Sequence, residues 1–115
     1  MSRASPERGV ARRRQHAALF AALGDETRLA LIGELSEGEP RSISQLTGGT
    51  ELTRQAITKH LRVLERAGMV ACVRSGRESR FQFNPVPMNE LREYLARASE
   101  HWDRRLLRLK SLVES

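Results

Sequence analysis

The feature that most constrains this chain is a long apolar stripe near its C-terminus. Leu91, Leu95, Ala98, Trp102, Leu106, Leu109 and Val113 recur at intervals of four and three, the period of one face of an α-helix. Arg92, Glu93, Arg97, Glu100, Arg104 and Arg108 fall on the opposite face. The spacing predicts a helix from Asn89 to about Val113. A chain of 115 residues has room for one modest core. A stripe this long therefore packs on its own small domain or pairs with a second subunit, and pairing is the use expected here.

Upstream of the stripe, shorter helical patterns alternate with turn residues. Met1 to Gly9 are polar and lead into Arg12, Arg13 and Arg14, so residues 1–14 read as a flexible basic arm. That arm either grasps DNA or is a solvated tail. The apolar run from Ala17 to Leu23 predicts a first helix, ended by Gly24. Asp25 caps a second, whose face is Leu31, Ile32 and Leu35. Glu37, Gly38, Glu39 and Pro40 form a loop. Ser42 caps a short third helix through Ile43 and Leu46, stopped by Gly48 and Gly49. Thr53 caps a fourth that runs to about Ala67, before Gly68. The apolar period then changes. Met69 to Val73 and Phe81 to Phe83 flank Ser75, Gly76 and Arg77, a pattern that predicts two strands in a β-hairpin. Asn84, Pro85 and Pro87 close it.

The fourth helix has two chemically distinct sides. At ~100° per residue, Ile57, Leu61 and Leu64 share a narrow arc that must face a core. The other side holds Gln55, Lys59, Arg62 and Arg66, with Arg54 and Thr58 at its edges. Amide and guanidinium groups suit base edges in a major groove; lysine, arginine and hydroxyl groups suit phosphates. A basic face alone is often no more than solvated surface. Here it follows a short helix and a glycine turn, and precedes a hairpin bearing Arg74, Arg77 and Arg80. That order is a helix-turn-helix followed by a basic wing. Between Arg41 and Arg80 eight basic residues face three acids, so most of the chain's net charge of +6 is concentrated there. The expected DNA contacts are Arg41, Ser42, Thr53, Arg54, Gln55, Thr58, Lys59, Arg62, Arg74, Arg77 and Arg80. The expected fold is mainly α with a small β-hairpin wing: a winged helix-turn-helix over residues 15–85, then a dimerisation helix over 86–115 within the same single domain.

Three stretches resemble the ArsR (SmtB-like) transcriptional regulators. FAALGDETRLALI, from Phe20 to Ile32, looks like their opening. TRQAITKHLRVLERAGMV, from Thr53 to Val70, resembles their recognition helix and its exit. VRSGRESRF, from Val73 to Phe81, resembles their wing. The resemblance implies a homodimeric repressor on a palindromic operator, released by an effector that the sequence does not name. It also implies that the first and last helices form the dimer interface, which assigns Phe20, Leu91, Leu95, Ala98, Trp102, Leu106 and Leu109 to that seam.

Other classes of function find little support in the residues. Many members of that family sense metals, yet the third helix reads Ile43 to Thr47 with no cysteine. His16, His60, His101 and Cys72 are scattered, where a site needs three or four converging ligands. No metal and no cofactor are expected. Cys72 reads as a core residue rather than a redox sensor. No nucleophile–base pair, apolar carboxylate pair or phosphate-cradling glycine loop marks an enzyme. No apolar run reaches the ~18–20 residues of a membrane span and no signal peptide is visible, so a cytoplasmic protein without membrane contact is expected. The alternative to double-stranded DNA as partner is a winged helix reused for protein–protein contact.

Overall fold

The computed structural model describes residues 6–114. In chain order it contains α1 (Pro6–Leu23), α2 (Glu26–Leu35), β1 (Arg41–Ser42), α3 (Ile43–Thr47), α4 (Arg54–Arg66), β2 (Val70–Ser75), β3 (Glu78–Phe83) and α5 (Pro85–Glu114). The three strands form an antiparallel sheet in the order β1-β3-β2, with Arg41 opposite Phe81 and Val70 opposite Phe83. The fold is a winged helix-turn-helix, as the sequence predicts.

Each helix start and stop has a local cause. The Asp25 carboxylate accepts from the Arg28 N–H at the head of α2. Ser42 and Gln45 make a reciprocal capping box at α3, and the Thr53 hydroxyl accepts from the Ala56 N–H at α4. These bonds satisfy donors that the first turn of a helix leaves unpaired. At the end of α4, Gly68 takes φ +78°. The Met69 N–H then reaches the Leu64 carbonyl and the Gly68 N–H that of Glu65, both at 2.9 Å, a Schellman ending that favours glycine. The hairpin turns on Gly76 and Arg77, between Ser75 and Glu78. Gly76 has φ +65° and Arg77 has no positive φ, the pattern of a type II′ turn.

Three boundaries differ from the sequence reading. Helix α1 begins at Pro6, so residues 6–14 are helical rather than a flexible arm; residues 1–5 of that arm lie outside the described residues. Polar composition hides this extension, but Ala, Arg and Glu are good helix formers and proline suits a first helical position. Helix α5 begins at Pro85 instead of Asn89. Its two prolines occupy the first turn, where an N–H has no helical partner to lose, and the Asn84 side chain accepts from the Val86 N–H at 3.2 Å. The two-residue strand β1 is too short to leave a period-two signal.

The core lies where α1, α2, α3 and α4 meet the sheet. Leu35, Leu46, Ile57, Leu61, Leu64, Met69 and Phe81 are the large side chains fully enclosed in it. The predicted inner arc of α4 is buried as expected. Leu91 is buried as well, at 3% exposure. It anchors the start of α5 to its own domain and is not open to a partner, a correction to its place in the expected seam. Beyond it α5 runs free: Leu95 is 52% exposed, Trp102 60%, Leu106 47% and Leu109 62%, and Ala98 is exposed too.

One guanidinium ties three helices together. Arg28 of α2 donates from Nε to the Ala22 carbonyl (2.6 Å) and from Nη2 to that of Ala21 (3.4 Å), at the last turn of α1. Its Nη1 lies 3.2 Å from His60 Nδ1 on α4. Asp25 closes the group, with its carboxylate 3.6 Å from the same ring nitrogen. The Arg28 backbone N–H holds the Asp25 carboxyl below its ordinary range, and the charges of His60 and Arg28 add to that effect.

Candidate nucleic-acid interface

Helices α3 and α4 meet at a fixed angle because their ends are locked. The capping box buries the Ser42 side chain, and Arg54, the first residue of α4, donates from Nη1 to Ser44 Oγ across the turn at 2.7 Å. The packed side of α4 then leaves Gln55 and Lys59 pointing outward. Both are exposed, and among the described residues neither side chain makes a hydrogen bond or ion pair. Thr58 stands between them and donates to the Arg54 carbonyl at 2.7 Å.

Two open grooves mark this side of the molecule. One, of about 570 Å³, runs along α4 past Ile43, Arg54, Gln55, Thr58 and Lys59. The other, of about 510 Å³, lies between α3 and the hairpin and is lined by Ser42, Ser44, Arg54, Arg77 and Ser79 among others. Arg54 and Ile43 belong to both, so the outer face of α4 and the tip of the wing form one continuous surface. Its groups are guanidinium, ammonium, amide and hydroxyl, which suit phosphates and base edges. Glu78 is the single acid lining either groove.

The structure sorts the predicted contacts into open and occupied side chains. Arg54, Gln55, Thr58, Lys59 and Arg77 come together on the shared surface. Arg74 is exposed on β2. Ser42 and Thr53 spend their hydroxyls on helix caps, and Ser42 is buried besides. Arg41 lies 3.9 Å from Glu34 and 3.6 Å from Glu37. Arg80 bonds Glu78 at 3.1 Å. Arg62 donates to Glu65 at 2.7 Å and stacks over the Phe81 ring, 5.7 Å from its centre; its own proton is held more tightly, chiefly through that bond to Glu65. Of these arginines only Arg41 meets acids from outside its own element, Glu34 and Glu37. Glu65 lies three residues on from Arg62 along α4 and Glu78 two residues before Arg80 on β3, so face assignment alone does not show which arginines have a neighbouring acid. Ser44 and Ser79 were not predicted. Their signal lay only in the capping box and the strand register, which bring them beside Arg54 and Arg77.

Comparison with known proteins places this geometry. Residues 23–73 match a family model described as a helix-turn-helix domain. An uncharacterised HTH-type transcriptional regulator of Bacillus subtilis, YuzN, is 42% identical over 80 residues, covering 64% of this chain and 87% of the relative. The structure of an ArsR-like transcriptional regulator from Rhodococcus sp. RHA1 superposes with a TM-score of 0.74 at 38% identity, over 86% of this chain and 92% of that one. The chain belongs to the ArsR family of transcriptional regulators. As a member of that family it is a DNA-binding regulator. A further ArsR-like structure, the homodimeric winged helix-turn-helix DNA-binding domain of Mb0332 from Mycobacterium bovis, shares the fold with a TM-score of 0.68 at 22% identity, over 88% of this chain and 93% of that one. Among the described residues no group of three His, Cys, Asp or Glu side chains converges as a metal site requires. No helix among them is long and apolar enough to cross a membrane.

Proposed function

We propose that this ArsR-family regulator is a homodimeric repressor that reads a two-fold-related operator. The carrying observation is the continuous surface from Gln55 and Lys59 to Arg77, three side chains that make no hydrogen bond or ion pair among the described residues. In this reading α4 lies in the major groove, with Arg54 and Gln55 at base edges and Thr58 and Lys59 at the backbone. Arg77 and Arg74 of the wing hold the flanking phosphates. Residues 15–85 read the DNA, and residues 86–115 join the subunits through the free part of α5, from Leu95 to Leu109, together with Phe20 of α1. The homodimeric mycobacterial relative supports that assembly. Two-fold symmetry then sets two recognition helices about one helical turn of DNA apart, and occupancy of such a site blocks transcription from it.

Fluorescence anisotropy tests this directly. A labelled duplex from upstream of the gene is titrated against a scrambled duplex, each at low and moderate salt. Tight binding of two subunits to the native duplex, weakened by salt through counterion release, is the expected result. Equal affinity for both duplexes moves the operator elsewhere. No binding to either, even at low salt, overturns the reading in favour of a winged helix used for protein contact.

A further inference from the structure

The arginines expected at the DNA are held in different ways. Arg41, Arg62 and Arg80 each lie against a carboxylate, which fixes the guanidinium but offsets its charge. Among the described residues the side chains of Arg74 and Arg77 make no hydrogen bond or ion pair, so they keep their charge on a chain free to swing. Arg54 differs from both groups. Its Nη1 donates to Ser44 Oγ at 2.7 Å, and that partner is neutral. The guanidinium is held with its positive charge intact.

The hydroxyl that holds it is itself well fixed. Ser44 stands in the first turn of α3, between the two partners of the capping box, Ser42 and Gln45. Its backbone carbonyl accepts from the Gly48 N–H at 3.1 Å, and Leu46, two residues on, is buried in the core. Ser44 thus carries the rigidity of α3 across the turn to the head of α4. The bond also leaves Arg54 able to read. A guanidinium presents its N–H groups in a rigid planar fork, and with Nη1 on Ser44 the edge made by Nε and Nη2 has no partner among the described residues. Two N–H groups side by side are what guanine O6 and N7 accept in the major groove. Arg54 lines both grooves of the interface, so it stands where the outer face of α4 meets the wing. A long side chain held beforehand loses less freedom on binding, and it is aimed at one base step instead of being shared among neighbouring phosphates.

We infer that Ser44 is a positioning residue for base readout: its hydroxyl aims the Nε–Nη2 edge of Arg54 at one guanine in each half-site. The inference rests on the proposed operator reading and adds to it a specificity determinant outside the recognition helix. Ser44 acts through Arg54.

Selection of bound duplexes from a randomised pool, followed by sequencing, needs no known operator and uses the full chain. Wild-type protein is expected to enrich a two-fold-related pattern, with guanine favoured about tenfold or more at one position of each half-site. Arg54→Ala and Ser44→Ala lose that preference at the same position and keep the others. Ser44→Thr, which retains the hydroxyl, keeps it. Affinity for a scrambled duplex and the melting temperature stay close to wild type in Ser44→Ala, as for an exposed side chain away from the core. A merely structural Ser44 gives the opposite result: every position relaxes together and the melting temperature falls. That outcome overturns the inference. So does a guanine preference kept in Ser44→Ala but lost in Arg54→Ala, or one kept in both variants. Failure of the wild-type protein to enrich any pattern overturns the operator reading itself, and the inference with it.

Discussion

Gln55, Lys59 and Arg62 occupy the same outer face of α4, yet they are not equivalent. Gln55 and Lys59 stand free of internal partners, whereas Arg62 is committed to Glu65 and the Phe81 ring. Gln55→Ala is expected to cost ~1–3 kcal/mol of discrimination at one base pair, since an amide reads a base edge. Binding to a panel of single-base operator variants measures it; an unchanged preference at every position places base readout elsewhere. Lys59→Ala should weaken native and scrambled duplexes alike and lower the salt slope by about one, as loss of one phosphate contact does. A residue at the back of the same helix bundle carries a pH effect. The Asp25 carboxyl is held below its ordinary value of 3.8, so the stability it adds is fully present above that value and is lost as pH falls through the folded one. Melting temperatures followed downward from about pH 5 should therefore fall less steeply in Asp25→Asn than in wild type; parallel curves show that other carboxylates govern acid unfolding.

The faces of α4 were legible in the sequence because 3.6 residues per turn fixes them without reference to the rest of the chain. The ends of α1 and α5 were not. Both begin at prolines that read as breakers; α1 then opens on a polar turn and α5 on a turn with a second proline, and neither turn carries a helical apolar period. The destination of the α5 stripe was legible only in part, because its periodic pattern runs unbroken from Leu91 to Val113. The change from core anchor to exposed stripe between Leu91 and Leu95 depends on how far along α5 the rest of the domain reaches. A charge at the centre of the free part tests its use. Trp102→Glu is expected to leave the fold intact, since that side chain touches no core, and to give monomers by placing a charge in an apolar seam. Sedimentation of the variant as a dimer puts the interface on another element.

The molecule as a whole is drawn out by one helix. Its radius of gyration is 18.9 Å and its long axis 65 Å, against about 13 Å expected of a compact domain of this length. Helix α5, about 45 Å long at 1.5 Å per residue, accounts for the difference, because the remaining elements gather round one core. An apolar stripe of that length is costly to leave in water. Sedimentation equilibrium at micromolar protein should return twice the 13.0 kDa of one chain; a mass of one chain leaves the stripe without the partner proposed for it.

The Arg28 contact gives the protomer an unexpected stiffness. The last turn of α1, the head of α2 and the inner side of α4 are pinned to a single planar group. A wobble of the recognition helix therefore has to drag α1 with it. In the proposed dimer, fitting onto DNA is then a matter of how two such halves are hinged to one another. Within that dimer, a change in tilt at the first helix is carried through this contact to α4, and so to the distance between two reading heads.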